Sequence, residues 1–304
     1  MRSIILSIIA CCLWTGAVAS ASPRVAVLDF VGDGGSEIVS VLRAVSEKYS
    51  PVDPGQSRAA VRGIGYEGNL NLTLDDARSL GAAIGCDYYF VGRIDVPRRL
   101  GANNENYYEA IVGVYLIESR RGRLALFDYI QARGADEKAA RAAIIEELKS
   151  RRGRYEETIN AGEVRHLTDA ATPPPAALEA IEILDGEVTA RDLKSPVFYQ
   201  RLKPAYTQEA GSIELVSTVE LTAVFGANGQ VSEVEVVRWA GFGLDESAVA
   251  TVKQLRFKPG ERAGAPVSVR ALVRYNFRRP PSAAEREADA ERLRRSLRQI
   301  QKPE

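Results

Sequence analysis

The 304-residue chain holds one histidine and one methionine, and its forty basic and forty acidic side chains cancel. Histidine is the usual general base near neutral pH and the commonest metal ligand, so its near absence argues against most hydrolase and zinc chemistries. His166 has no acidic or cysteine neighbour in sequence that would make it a ligand, and it reads as a solvated side chain in a polar stretch. The cancelled charge gives no footprint for nucleic acid. Of three cysteines, Cys11 and Cys12 lie in an apolar leader. Without that leader Cys86 would stand alone, unable to form an internal disulfide. Its setting, Gly85-Cys86-Asp87 ahead of an apolar run, reads as a small buried hydrophobe. Gly32, Gly34 and Gly35 are followed by no Gly-Lys-Ser/Thr and complete no Gly-x-Gly-x-x-Gly, so they mark a turn rather than a phosphate loop. Asp75 and Asp76 fit the first turn of a helix, where the macrodipole favours anions, and nothing marks Asp29 beyond the end of a strand. No cluster points to an enzyme, and neither a cofactor nor a metal site is expected.

What is present begins with an export signal. Arg2 precedes an apolar run from Ile4 to Val18, and Ala19-Ser20-Ala21 is a small-x-small cleavage site. The run is short against the roughly 20 apolar residues that span a bilayer. Three fates stay open: cleavage near Ser22, retention as an anchor, or lipid attachment at Cys11. The first gives a periplasmic protein, the second an inner-membrane-anchored one.

The expected fold is α+β in two domains. Residues 22–151 read as an α/β sandwich with a mixed sheet. Val25 to Phe30 is a nearly continuous apolar run, the mark of a strand covered on both faces. Ser36 is placed to cap a helix carrying Ile38, Leu42, Val45 and Tyr49, and Thr73 a second one carrying Ala77, Leu80, Ala83 and Ile84. A strand over Tyr88–Ile94, a hairpin of Tyr107–Ile117 and Leu124–Ala132, and a helix over Asp136–Arg151 complete the unit. Its opening strand and the block from Ala77 to Gly92 resemble the amino-terminal domain of TolB and CsgG-like outer-membrane lipoproteins, over roughly residues 24–132.

Residues 152–200 read as a linker. Pro173-Pro174-Pro175 stiffens it, and a short helix is expected over Ala176–Leu184. The tail, residues 281–304, is charged and helical, with Ala283, Ala290, Leu293, Leu297 and Ile300 in a narrow seam.

Residues 201–280 carry the sharpest pattern. Lys203 to Ala210 reads as a helix opened by Pro204. Leu215–Phe225 and Val231–Val237 are strands joined at Asn228-Gly229, which supplies the positive φ of a tight hairpin turn. An amphipathic helix follows over Leu244–Leu255, and then a last strand over Val267–Phe277. Trp239 and Phe242, between hairpin and helix, read as packing residues. Pro204 with Tyr206, Asn228-Gly229-Gln230-Val231, Arg256-Phe257-Lys258-Pro259, Pro266-Val267 and Tyr275-Asn276-Phe277 stand in one order over about 75 residues. In that order they resemble the TonB carboxy-terminal domain, here a ββαβ unit.

The resemblance implies a non-enzymatic binding role: the domain adds an extended segment of an outer-membrane or envelope protein to its sheet as an extra strand. The implied docking edge is the final strand, Val267, Ser268, Val269, Arg270, Ala271, Leu272, Val273, Arg274, Tyr275, Asn276 and Phe277. There unpaired N–H and C=O groups, that of Val273 included, would meet the partner. Arg270 and Arg274 would tune its choice. An inner-membrane motor is a further partner only if the anchor is retained. An energy transducer also carries a long Pro-rich spacer, and here an α/β domain occupies that place.

Overall fold

The computed structural model describes residues 22–171, 180–183, 193–281 and 283–300. The export signal, the Pro173–Pro175 stretch and the last four residues lie outside them. No helix among the described residues is long and apolar enough to cross a membrane.

The amino-terminal unit runs β1 (Arg24–Val27), α1 (Gly35–Ser46), β2 (Ser50–Pro51), α2 (Pro54–Gly63), α3 (Leu74–Ile84), β3 (Tyr88–Asp95), β4 (Arg98–Leu100), β5 (Asn106–Glu118), β6 (Arg123–Gly134), α4 (Glu137–Ser150) and α5 (Arg152–Ala171). β1 pairs in parallel with β2 on one side and β3 on the other, and β5 pairs antiparallel with β3, β4 and β6. The result is one mixed sheet. Because side chains alternate along each strand, the sheet has two apolar faces. Val25, Val27, Tyr88, Phe90, Val112 and Val114 pack with residues of α1, α4 and α5. Ala26, Leu28, Tyr89, Val91, Ile111 and Tyr115 face the opposite way.

Local signals explain most of the boundaries. Thr73 and Asp76 form a reciprocal capping box at α3, and Gly85, at φ 73°, closes that helix. α1 differs from expectation. Its cap is Gly34 at φ 87° rather than Ser36, so the chain enters the helix through a left-handed residue and no side chain caps it. The expected linker also starts later than residue 152. α5 occupies Arg152–Ala171 and buries Tyr155 and Ile159 completely in the amino-terminal core. Gly162 lets Tyr88 approach, since a Cβ there would stand 2.2 Å from the tyrosine hydroxyl. Asp128 of β6, 1% exposed, ties down the α4–α5 junction. It accepts hydrogen bonds from Arg151 (2.8 Å), Arg154 (2.7 Å) and the Tyr155 hydroxyl (2.8 Å). His166 thus lies half-buried on α5 rather than in a linker.

The carboxy-terminal part contains β7 (Ile181–Ile183), β8 (Leu193–Lys194), β9 (Val197–Phe198), α6 (Gln208–Ser212), β10 (Ser217–Phe225), β11 (Val231–Arg238), α7 (Leu244–Lys253), β12 (Phe257–Lys258), β13 (Gly260–Arg262), β14 (Ala265–Val267), β15 (Val269–Phe277) and α8 (Ala283–Ile300). The main sheet has the order β11-β10-β15-β7. Asn228 and Gly229 turn the β10–β11 hairpin: Gly229 has φ 78°, and the Asn228 side chain accepts from Gln230 N at 3.0 Å. The helix expected from Lys203 is shorter. It begins after Thr207, whose hydroxyl accepts from Ala210 N at 3.2 Å, and Lys203–Tyr206 has no regular secondary structure. The described part of Ala176–Leu184 is strand, not helix. The described side chains of α8 are exposed, as its charged composition demands.

The two units share one core. Leu28, Tyr89, Ile111 and Tyr115 belong to the same apolar cluster as Trp239, Phe242, Leu244 and Val252. The loop between β11 and α7 is the plug. Gly241 (φ 72°), Phe242 (φ 52°) and Gly243 (φ 72°) turn it sharply, and it seats the Phe242 ring 4.9 Å from Phe127 and 5.8 Å from Tyr129. Tyr115 donates to Ala240 O at 2.7 Å, and the Asn71 amide donates to Thr218 O (2.8 Å) and Trp239 O (2.6 Å). Trp239 and Phe242 are therefore packing residues, but what they pack is the junction of the two units.

Candidate functional site: the outer edge of the carboxy-terminal sheet

β15 lies against β10 in an unbroken antiparallel ladder from Ser217↔Phe277 to Phe225↔Val269. Ala271, Val273, Tyr275 and Phe277 face the apolar core, while Arg270, Leu272, Arg274 and Asn276 alternate to the other side. Burial of the Tyr275 ring pushes its hydroxyl pKa up.

Backbone polarity alternates with the same period. Ile181 N donates outward to Ser268 O at 3.0 Å. Counting by twos, the backbone groups of Arg270, Leu272, Arg274 and Asn276 also point away from β10, and those of Val269, Ala271, Val273, Tyr275 and Phe277 point into the ladder. A second observation agrees. Thr218, opposite Asn276, turns its own N–H and C=O away from β15, toward the Asn71 amide. Val273 is thus an interior donor, contrary to the sequence expectation, and Arg274 is the exposed one. Hydrogen exchange checks this: the Arg274 and Asn276 amides are expected to exchange at rates near those of free peptide, with Val273 and Tyr275 protected. Equal protection of neighbouring amides would reject the assignment.

The full span from Val267 to Phe277 is not one open edge. Val267 belongs to β14 and pairs with Gly260 of β13. Ser268 links the two strands, and its hydroxyl accepts from Ala227 N at 3.2 Å. Val269, Arg270 and Ala271 pair in parallel with Ile181, Glu182 and Ile183 of β7. The chain's own short strand therefore covers the first third of the edge. Beyond it, from Leu272 to Asn276, no strand among the described residues lies beside β15.

Side chains fix the charge pattern behind this edge. Glu220 on β10, 7% exposed, receives Arg274 at 2.6 Å and Arg238 at 3.3 Å, and Arg270 pairs with Glu233. Arg270 and Arg274 are thus held by carboxylates of their own sheet, and Arg274 remains the more exposed of the two. The opposite edge of the sheet is less receptive. β11 bulges, with two residues opposite Ala223, and Glu233 there adopts φ 46°. Arg123 of the amino-terminal unit pairs with Glu235 on the same strand, and Arg238 bridges to Thr73. Bulges and covering contacts are ways a protein blunts an edge.

Two titratable groups elsewhere are committed. Burial pushes the Cys86 thiol up to about 11, which keeps it protonated, and its sulfur lies 3.5 Å from the Ser119 hydroxyl. Glu109, 5% exposed, is paired with Arg99 (3.1 Å) and Arg133 (3.2 Å). Among the described residues no group of His, Cys, Asp and Glu could hold a metal ion.

Residues 203–278, about a quarter of the chain, match the family model of the Gram-negative bacterial TonB protein C-terminal. A search of curated protein sequences finds no match. Among solved structures, the solution NMR structure of the Pseudomonas aeruginosa TonB CTD is similar at 17% identity, over 31% of this chain and 94% of that one, with a TM-score of 0.26. The protein CT253 from Chlamydia trachomatis is similar at 11% identity over 44% of this chain and 98% of that one, TM-score 0.30. LpoB from E. coli is similar at 15% identity over 38% of this chain and 60% of that one, TM-score 0.27.

Proposed function

We propose that this chain is a periplasmic, non-enzymatic envelope protein that receives an extended segment of an outer-membrane or envelope partner as a strand beside Leu272–Asn276 of β15. One observation carries the reading. A run of outward-facing backbone donors and acceptors stands, without a neighbouring strand among the described residues, on a domain that matches the TonB carboxy-terminal model. Such an edge recognises main chain first, so it binds many side-chain sequences with modest discrimination. Arg274, half exposed on the strand, supplies what selectivity there is toward acidic flanks of the partner. The amino-terminal unit, which resembles the TolB and CsgG-like α/β domains in sequence, serves as a rigid second surface, fixed to the binding domain through the shared core.

The test uses photo-crosslinking residues placed at positions 272, 274 and 276, with position 235 on β11 as a control, in the exported full-length chain. A crosslink to one envelope protein from the β15 positions and none from 235 is the expected pattern. Arg274→Pro then removes an outward N–H from the edge, a place where proline is tolerated in a strand. It should weaken binding by about tenfold or more, given roughly 0.5–1.5 kcal/mol per lost hydrogen bond plus the ring's steric block. Val273→Pro is the wrong probe, because it breaks the interior ladder with Leu221. Unchanged crosslinking in a folded Arg274→Pro protein would sink strand addition at this edge.

A further inference from the structure

A separate cavity of about 310 Å³ opens in the amino-terminal unit, beside the carboxyl end of β1. Its position follows from the topology. β2 pairs only with Arg24 and Val25, so the flank of β1 beyond them has no strand neighbour on that side among the described residues. The chain leaves β1 toward α1, packed on one face of the sheet, while α2 and α3 lead to β3 across the other. Ligands of open α/β sheets sit at such a switch point, outside the carboxyl ends of parallel strands.

Its chemistry is specific. Arg43 from α1 and Arg58 and Arg62 from α2 converge on it, against walls of Val27, Phe30 and Val61. The Arg43 Nε is buried and has no hydrogen-bond partner among the described residues. Among the described residues neither Arg43 nor Arg62 forms an ion pair, and Arg58 reaches Asp29 only at 4.0 Å. Asp29 and Glu67, both exposed at the rim, leave three cations facing two anions. A half-buried guanidinium without an acceptor is costly unless an anion from outside completes it. The Tyr66 hydroxyl is already committed to Asn69 O at 2.7 Å and contributes only its ring.

We propose that this cavity binds a small organic anion, a carboxylate or phosphate monoester on a compact apolar body, with Arg43 and Arg62 holding the anionic head. The volume lies at the lower end of ligand pockets, which limits the body to about the size of one ring. Nothing in this site depends on the sheet edge of the other unit.

Isothermal titration of the full chain with benzoate, phenyl phosphate and inorganic phosphate tests it. Saturable one-to-one binding of at least one aromatic anion, tighter than inorganic phosphate, is expected, and the tighter of the two identifies the preferred head. Arg43→Gln and Arg62→Gln should each raise its Kd about tenfold or more, as loss of a charge-assisted hydrogen bond does. Arg201→Gln, outside the cavity, should leave it unchanged. Should Arg43→Gln fail to fold, Arg62→Gln, on the exposed side of α2, carries the comparison alone. No saturable binding of either aromatic anion, or the same Kd in the wild type and Arg62→Gln, overturns the proposal.

Discussion

Replacing Phe242 by alanine is expected to destabilise the protein by about 3–5 kcal/mol and to split its unfolding into two transitions. Phe242 is 1% exposed, and it inserts from the carboxy-terminal domain between Phe127 and Tyr129 of the amino-terminal unit. The space it fills is made by a glycine: a Cβ at Gly113 would stand 2.8 Å from the Phe242 ring. Alanine therefore leaves a cavity in the core to which both units contribute, and the transfer and cavity costs add. The backbone adds to the effect, because Phe242 sits at φ 52° between Gly241 and Gly243, and ring packing helps to hold a non-glycine residue there. Wild-type protein should melt in one calorimetric transition. The variant should show the carboxy-terminal domain melting first, with the amino-terminal sheet, supported by α1, α4 and α5, melting later. A single transition with Tm unchanged would mean that the plug contributes little to docking.

Much of this architecture could be read from the chain, for reasons that differ by element. The hairpin at Asn228-Gly229, the capping box at Thr73 and the alternation of Val269 to Phe277 are local signals, written within a few residues and resistant to context. The matched motifs of residues 203–278 are local in the same sense. The misreadings arose where the deciding partner is remote. Ile181–Ile183 has three residues and no periodicity to distinguish strand from helix, and it is a strand because β15 stands beside it. Tyr155 and Ile159 gave no sign that the chain remained in the amino-terminal core after residue 151, because the sheet face that buries them is formed some 30 to 130 residues earlier. Tyr115 and Ala240 share a hydrogen bond that no spacing rule foretells. The candidate edge was legible as a strand, yet which of its backbone groups face outward was not. That parity is set by pairing with β10 and β7 rather than by the residues of β15 themselves.

The same plug makes stability depend on pH through Asp245. This side chain, 8% exposed in the first turn of α7, reaches back to accept from Ala240 N (2.8 Å) and Gly241 N (2.9 Å), the residues that lead into Phe242. Burial pushes its pKa up to about 7, against the pull of those two hydrogen bonds, which favour the ionised form. A carboxyl whose folded pKa is raised stabilises the fold fully below its unfolded value, near 3.8, and loses that contribution as pH climbs through about 7. Across that window the loss approaches roughly 4 kcal/mol for this one group. Asp245→Asn cannot ionise. It leaves one of the two backbone donors without its oxygen, at a constant penalty of about 1–3 kcal/mol that does not vary with pH. Urea unfolding of both proteins at about pH 5 and about pH 8 separates the two effects. The wild type should lose stability relative to the variant as pH rises, while every other titrating group cancels in the comparison. Parallel pH profiles would show that the two N–H donors and the positive end of α7 hold Asp245 ionised throughout. The junction of the two units would then rest on a fixed buried charge, indifferent to the acidity around it.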